Sequence, residues 1–467
     1  MRVIVLLADG ARPDTLAGAL DRGLLPAMQR LREEGELHEL TSTFPSVTGP
    51  AYAPFLMGRF PGPIGLPGLR WYDRSRTACS FPDYSRSYVG YQMGEVDADL
   101  DPGTPTIFEL VHDSVAALSV ITRGLPRHRQ LAALDLRSAF RALHTHLRGD
   151  AARWLDVDRD VSRYLVDHVG EDPARFLFAA FTGVDKTSHA DGHAGERVIE
   201  SLRIVDDTVA EVRQRLEARG EWKDTWLWVV SDHGHSPVTQ HENLAAVVAD
   251  QGFRVLSHPW VFRLRPNAAV MVSGNAMAHV YIDLARRERP FRKRLGARGE
   301  RLADDLLERE SVDLLLMPSD IHTCAVRSRR GDAIVRRRGD EFSYERQGGD
   351  PLGLGADVKN VSASEAHDAT LRSDYPDALV QIASISASDR AGDIILSAAR
   401  NWDFRSRFEP IPHRSSHGAL HREHMLVPFL TNRKLGGRPR RTTDIMPTAL
   451  AALGRPVPPG LDGENVL

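Results

Sequence analysis

The chain of 467 residues contains two cysteines, Cys79 and Cys324, far apart in sequence. That excludes a disulfide framework and a thiolate metal site. It also lacks a basic surplus: 60 Lys and Arg stand against 63 Asp and Glu, for a net charge of -3. A dedicated nucleic-acid binder wants a positive surface, so no nucleic-acid binding is expected. No run approaches the roughly 18 uncharged apolar residues of a membrane span. The opening MRVIVLLADG is too short for a secretory h-region and meets Asp9 at once, so it reads as a first core strand, and the expected compartment is the cytoplasm. No internal repeat is evident. What remains, 42% apolar and 26% charged residues, is ordinary globular composition, long enough for two or three domains or one large α/β domain with insertions.

Three apolar runs share one design. VIVLLAD ends at Asp9, RFLFAAFTGVD at Asp185, and WLWVVSDHG contains Asp232 followed by His233. Near-continuous runs rich in Val, Leu, Phe and Trp predict strands buried on both faces of a parallel sheet. A carboxylate at the end of such a strand is costly to bury unless something binds it, and ligands collect at that edge of open α/β sheets. Between the runs, residues 13–34 carry Leu16, Leu20, Leu24, Met28 and Leu31 at helical spacing up to Gly35, with a break at Pro26. Residues 197–218 form a second amphipathic helix. Strand, helix, strand is the βαβ unit, so the expected fold is α/β: a mostly parallel, doubly wound sheet sandwiched by helices.

Two stretches interrupt this rhythm. The expected division is a core of residues 1–80, 166–249 and 409–467, a polar helical insertion over 81–165, and a cap over 250–408. In the cap, VRSRRGDAIVRRRGDEFSYERQGGDPLG places Arg-rich segments between Gly-Asp turns, which predicts a small antiparallel sheet. Its arginines face a substrate or partner, or form solvated hairpin faces; the second is favoured.

Asp185 and His189 stand four apart in DKTSH, Asp232 and His233 are adjacent, and His417 in SSHG precedes a further strand, MLVPFL. With Asp9 this makes three Asp and three His at one sheet edge. Carboxylate plus imidazole without thiolate suits zinc, manganese or iron, and six such ligands suffice for two ions, the arrangement that serves in-line displacement at phosphorus. Each piece alone has a bland reading as a helix cap or surface histidine. The nearby His193, His235, His241, His421 and His424 show how common histidine is here; at most one or two are expected to be functional. In TFPSVTGPAY, Thr48 precedes Gly49 and Pro50 and sits at a predicted helix N-cap, where N–H groups hold a phosphoryl oxygen. A hydroxyl beside two metals is deprotonated without a histidine base.

The set Asp9-Gly10, TFPSVTGPAY, MGRFPGPIG, GVDKTSH, SDHGH, SSHGALHREHMLVPF and TTDIMPTALAALG resembles the alkaline phosphatase superfamily, and within it the branch of type I phosphodiesterases and nucleotide pyrophosphatases. The resemblance runs from the first strand to the last helix and leaves the two insertions unmatched. It implies two divalent ions, expected to be zinc. One would be held by Asp9, Asp232 and His233 with the nucleophile, the other by Asp185, His189 and His417. Thr48 matches the position of the nucleophile, which forms a phospho-threonine intermediate, and Ser46 that of a neighbouring hydroxyl with no such role. The pattern departs from nucleotide-cleaving relatives in having GPAY after the threonine, Ile64-Gly65 in place of a His-Gly pair, and no Asn in GLPGLRWYD. Arg70 or a backbone N–H is the expected substitute for that Asn. Trp71 and Tyr72 are weighed between a leaving-group pocket and the core, with Tyr72 expected beside Arg70 as a substrate contact.

A sulfatase is excluded by threonine at position 48 and no arginine at position 52, and serine-dependent phosphoglycerate-mutase relatives fit less well. The expected activity is metal-dependent hydrolysis of a phosphodiester or phosphoanhydride in a small phosphorylated substrate. Phosphonate or phosphomonoester hydrolysis, or phosphoryl transfer, at the same site is the alternative. A non-catalytic phospholigand-binding protein is the alternative of another class, against which the presence of all seven ligand and nucleophile positions argues.

Overall fold

A computed structural model describes residues 1–76, 85–89, 91–131, 151–171, 173–258, 265–405 and 413–467. Cys79 and part of the expected helical insertion lie outside the described residues.

Among these, seven strands form the main sheet in the order Glu36–Thr41, Leu426–Thr431, Thr225–Val230, Arg2–Ala8, Phe176–Phe181, Ser114–Ala117 and Gln130–Leu131. The last five run parallel, and Leu426–Thr431 is antiparallel to both of its neighbours. The continuous apolar runs are explained by burial on both faces. Val3, Val5 and Leu7 enter one core and Ile4, Leu6 and Ala8 the other; Trp226 and Trp228 alternate with Leu227 and Val229 in the same way. One core is roofed by Pro13–Asp21, Pro26–Glu34, Arg153–Glu171 and Glu196–Ala218, the other by Ala53–Met57 and Ile445–Ala452. The break at Pro26 is real: Asp206 accepts the N–H groups of Ala27 and Met28 at 3.2 and 2.7 Å, capping the second helix from across the layer.

Ser114–Ala117 and Gln130–Leu131 come from the stretch expected to be a helical insertion, so part of it belongs to the main sheet. The expected small antiparallel sheet is larger than its hairpins foretold. The segments Thr323–Ser328, Gly331–Arg338 and Glu341–Arg346 lie in a nine-stranded sheet that also takes in Val255–Ser257, Ala268–Ser273, Met277–Ile282, Val312–Pro318, Val358–Ser362 and Ile394–Ala398. All neighbours there are antiparallel except Val255–Ser257 beside Ala268–Ser273. This sheet too is covered on both faces, by Ala378–Ser386 on one and Gly296–Leu307 on the other. Its arginines pair with acids at the rim, Arg327 with Asp304 at 2.9 Å and Arg346 with Asp357 at 3.0 Å, as solvated hairpin faces do. A three-stranded sheet of Asn401–Phe404, Ser236–Glu242 and Ser415–Ser416 stands between the two. It carries Ser415 and Ser416 to the edge where the parallel strands end.

Candidate active site

The three carboxylates lie past the carboxyl ends of three adjacent parallel strands. Asp9 directly follows Arg2–Ala8, and Asp232 follows Thr225–Val230. Asp185 lies in the first turn of the helix Gly183–Asp191 that follows Phe176–Phe181, so Asp185 and His189 share one helical face. That helix starts where it does because Asp158, fully buried, accepts the N–H groups of Thr182 and Gly183 at 2.8 and 2.9 Å and the Ser201 hydroxyl at 3.2 Å.

Two groups of donor atoms result, each mutually within 4.8 Å: Asp9, Asp232 and His233, and Asp185, His233, His235 and His417. The Thr48 Oγ1 lies 3.1 and 3.3 Å from the Asp9 oxygens and 3.2 Å from His233 Nε2. The Tyr52 phenol donates to Asp9 Oδ2 at 3.0 Å, and burial pushes it well up, so it remains a donor. Around Asp185 Oδ1 stand His189 Nε2 at 3.3 Å, His417 Nε2 at 3.4 Å and His235 Nε2 at 2.9 Å, while Lys186 Nζ takes Oδ2 at 2.6 Å. His189, His233 and His417 are oriented alike. Each has Nδ1 on a backbone carbonyl, of Ser415, Gly234 and Ser46 respectively, at 2.9 to 3.1 Å. A carbonyl only accepts, so Nδ1 carries a proton and Nε2 is the atom that faces inward, free to be the donor of a neutral ring, the way metal-binding imidazoles are held.

The electrostatics ask for cations. Asp9, Asp185 and Asp232 are all at most 1% exposed. Burial and the neighbouring Asp9 charge hold the Asp232 carboxyl well above its ordinary range. Burial pushes Asp185 up too, but Lys186 and His189 outweigh it and hold this carboxyl well below that range. Asp232 Oδ2 is buried and makes no hydrogen bond among the described residues. Three buried carboxylates, an orphaned oxygen and inward-facing imidazole nitrogens are the donor set of a divalent metal centre.

The sequence profile of the type I phosphodiesterase / nucleotide pyrophosphatase family matches residues 3–420. The chain belongs to this family. It is therefore a phosphoric-ester hydrolase of the alkaline phosphatase superfamily. No curated protein sequence matches it. Among solved structures, this phosphodiesterase-family chain is similar to phosphonoacetate hydrolase from Sinorhizobium meliloti in complex with phosphonoformate, at 18% identity and TM-score 0.59 over 97% of this chain and 95% of that one. It is also similar to human ectonucleotide pyrophosphatase/phosphodiesterase 5, at 13% identity and TM-score 0.57 over 99% and 97%. An inactive form of the murine counterpart in complex with AMP follows at 14% identity and TM-score 0.54 over 100% and 97%. These likenesses establish the shared fold.

The residues expected at the site of this phosphodiesterase-family member are brought together with three differences. Thr48 is not a helix cap: Gly49, at φ 93°, takes that place before the turn Pro50–Tyr52, and the Thr48 hydroxyl faces Asp9 instead. The N–H groups of Ala51 and Tyr52 are bound to Val47 and Gly49 carbonyls and Pro50 has none, so this helix start does not cradle a phosphoryl group. The N–H groups of Thr48 and Gly49 bond no described residue. Tyr72, 3% exposed and packed on Tyr281 at 5.7 Å between ring centres, belongs to the core, as does Trp71 at 0%. Arg70 is half-buried, with its N–H on Ser273 Oγ at 3.2 Å. Ser273 precedes the Gly274–Asn275 turn that meets His417, so Arg70 flanks the site wall. Ser46 is held out of the chemistry, its hydroxyl on the Ala419 carbonyl at 3.0 Å.

Three residues of the site do not stand out in the sequence. Lys186 follows Asp185 directly and Tyr52 stands four residues after Thr48, so closeness along the chain to an expected ligand is the signal that marks both. His235 carries no such signal, being one histidine among many.

Proposed function

We propose that the chain is a two-metal phosphohydrolase that cleaves a phosphodiester or phosphoanhydride in a small phosphorylated substrate through a phospho-Thr48 intermediate. The observation that carries this reading is a threonine hydroxyl 3.1 Å from Asp9 and 3.2 Å from His233, in front of a buried carboxylate and imidazole set. Asp9, Asp232 and His233 would hold one ion with Thr48, and Asp185, His189 and His417 the other. Zinc suits the donors best, with manganese or iron as the other choices. Bound there, divalent ions supply charge for the attacking and leaving oxygens.

The remaining work falls to the chain. Asp9 accepts the Thr48 hydroxyl and aligns Oγ1, which gives up its proton as it attacks phosphorus, while the bond from phosphorus to the ester or anhydride oxygen opposite it breaks and that oxygen leaves, taking a proton from solvent. The N–H groups of Thr48 and Gly49, which bond no described residue, would take a non-bridging phosphoryl oxygen, the task of the Asn that GLPGLRWYD lacks. Lys186 stays cationic, because Asp185 and Asp9 outweigh the downward pull of burial; it steadies Asp185. Water then cleaves the phospho-threonine and returns the hydroxyl. Scarce cysteine suits a reducing compartment, and we read the enzyme as cytoplasmic.

A phosphonate bearing a carboxylate is the second reading. Arg70 at the wall offers a cation to an anionic organic group, and a phosphonoacetate hydrolase shares the fold. A panel of nitrophenyl phosphodiester, phosphomonoester and phosphonate esters, run alongside metal analysis, separates these. Diesters are expected to be the best substrates, with divalent metal in the purified protein. Monoesters turned over tenfold better would overturn the diester reading, and absence of metal together with absence of turnover would favour a binding protein.

A further inference from the structure

His235 was not expected at the site, yet its hydrogen bonds give it the tautomer of a ligand. The Ser415 hydroxyl has one proton and donates it to the Ser188 carbonyl at 2.8 Å. The same oxygen lies 3.1 Å from His235 Nδ1, so it accepts there and the His235 proton is on Nδ1. In the neutral ring this leaves the lone pair on Nε2, aimed at Asp185 Oδ1 at 2.9 Å. A nitrogen lone pair and a carboxylate oxygen at that distance, both buried, need a cation between them. A donor atom of His235 lies within 4.8 Å of donor atoms of Asp185, His233 and His417 as well, a grouping that a metal ion joins and a single proton does not.

We infer that His235 Nε2 is a fourth protein ligand, with Asp185, His189 and His417, of the second metal; the inference rests on the metal-centre reading above. The spacings agree. With bonds of about 2.0–2.1 Å, donors at a tetrahedral angle are ~3.3 Å apart, against 3.3 and 3.4 Å from Asp185 Oδ1 to His189 and His417. The 2.9 Å to His235 corresponds to an angle of roughly 90° at the same bond lengths.

The pocket is shaped for this ring. A Cβ on Gly10 would stand 2.8 Å from His235 Nε2 and 3.0 Å from Cδ2, so the glycine after Asp9 leaves room for the imidazole in this pose. Ser415 serves two ligands at once, holding His189 through its carbonyl and His235 through its hydroxyl. The two metals then differ. The second, with four protein donors, would be the more firmly retained and would have to expand to a fifth position to meet a leaving oxygen; the first, with Asp9, Asp232, His233 and Thr48, would keep its reacting oxygen within the donor set.

Proton NMR of the cobalt(II)-loaded protein tests this, because each imidazole bound through Nε2 shows a hyperfine-shifted Nδ1–H that vanishes in deuterated solvent. Four such resonances are expected, from His189, His233, His235 and His417, and one of them should be missing in His235→Gln. That variant should also lose one ion to a chelator at a concentration at least about tenfold below that needed for the wild type. Three resonances in the wild type, or none lost in the variant, overturn the assignment while leaving the metal centre intact. No shifted resonance at all overturns the metal centre itself. The wild-type count decides even if the variant fails to fold.

Discussion

Gly183→Ala sets two opposing effects against each other at the start of the helix that carries Asp185 and His189. Helix propensity favours alanine over glycine by about 1 kcal/mol. Against this, the new Cβ would stand 2.4 Å from Asp158 Oδ2 and 2.6 Å from Ser201 Oγ. Oδ2 must move, and it gives up the bonds from Gly183 N–H and Ser201 Oγ–H, at 2.9 and 3.2 Å. Hydrogen bonds to a charged group contribute about 1.5–3 kcal/mol each, so the loss of ~3–6 kcal/mol exceeds the gain and the variant is destabilised by roughly 2–5 kcal/mol. Urea unfolding should be run at pH 8, above the value of about 7 to which burial raises the Asp158 carboxyl. The displaced helix start moves Asp185 and His189, and chelator competition should show metal affinity lower by about 10–100-fold. Adding Ser201→Ala removes one of the two close contacts and should restore roughly 1 kcal/mol. Stability within about 0.5 kcal/mol of wild type, with unchanged metal affinity, would refute the reasoning.

Thr48→Ala should lower kcat/KM for the best ester by about a thousandfold or more with metal content intact, as steady-state kinetics and metal analysis would show; retained turnover would remove Thr48 from the chemistry. Arg70→Ala should raise KM about tenfold for substrates with an anionic organic group, the equivalent of ~1.4 kcal/mol, and leave neutral nitrophenyl esters unaffected; equal effects on both would make Arg70 structural. His279 is fully buried, donates from Nε2 to the Pro67 carbonyl at 2.9 Å and accepts Gly392 N–H at Nδ1, and burial pushes it from 6.5 down to about 3. Its folded value lies below its unfolded one, so the unfolded chain binds more protons between them; the contribution is complete above 6.5 and lost as pH falls. The loss between pH 7 and pH 5 is about 2 kcal/mol. Urea midpoints for wild type and His279→Gln across that range should show a flatter slope in the variant, and parallel slopes would exclude His279 as the cause.

The metal-edge chemistry was legible because it is written locally. A buried strand that ends in Asp says so within seven residues, as VIVLLAD does, and Asp185 with His189 needs only the helical period. Thr48 stands out in the sequence for an incomplete reason, since a threonine before Gly-Pro reads as a cap until the fold turns its oxygen toward Asp9. His235 was illegible because its tautomer depends on Ser415, and that hydroxyl reaches it only through the three-stranded sheet. The second sheet was underestimated for a related reason. Its Arg-rich hairpins announce themselves by their turns, whereas Val312–Pro318 and Ile394–Ala398 pair with each other across a long connection that no local pattern encodes. Tyr72 shows the limit of proximity along the chain: near Thr48 in sequence, it turns inward on an edge ribbon whose alternate residue, Trp71, is buried as well.

Asn275, at the end of Ala268–Ser273, bridges to His417, and Ala276 N–H donates to the His417 carbonyl at 3.0 Å. The layer that would choose among substrates therefore also grips the backbone of a residue that carries one of the imidazoles. Exchanging that layer for another, as one might swap a specificity module, would loosen the ion together with the selectivity. New preferences on this scaffold are reached more safely by side-chain changes on the wall, such as at Arg70, than by transplanting the cap.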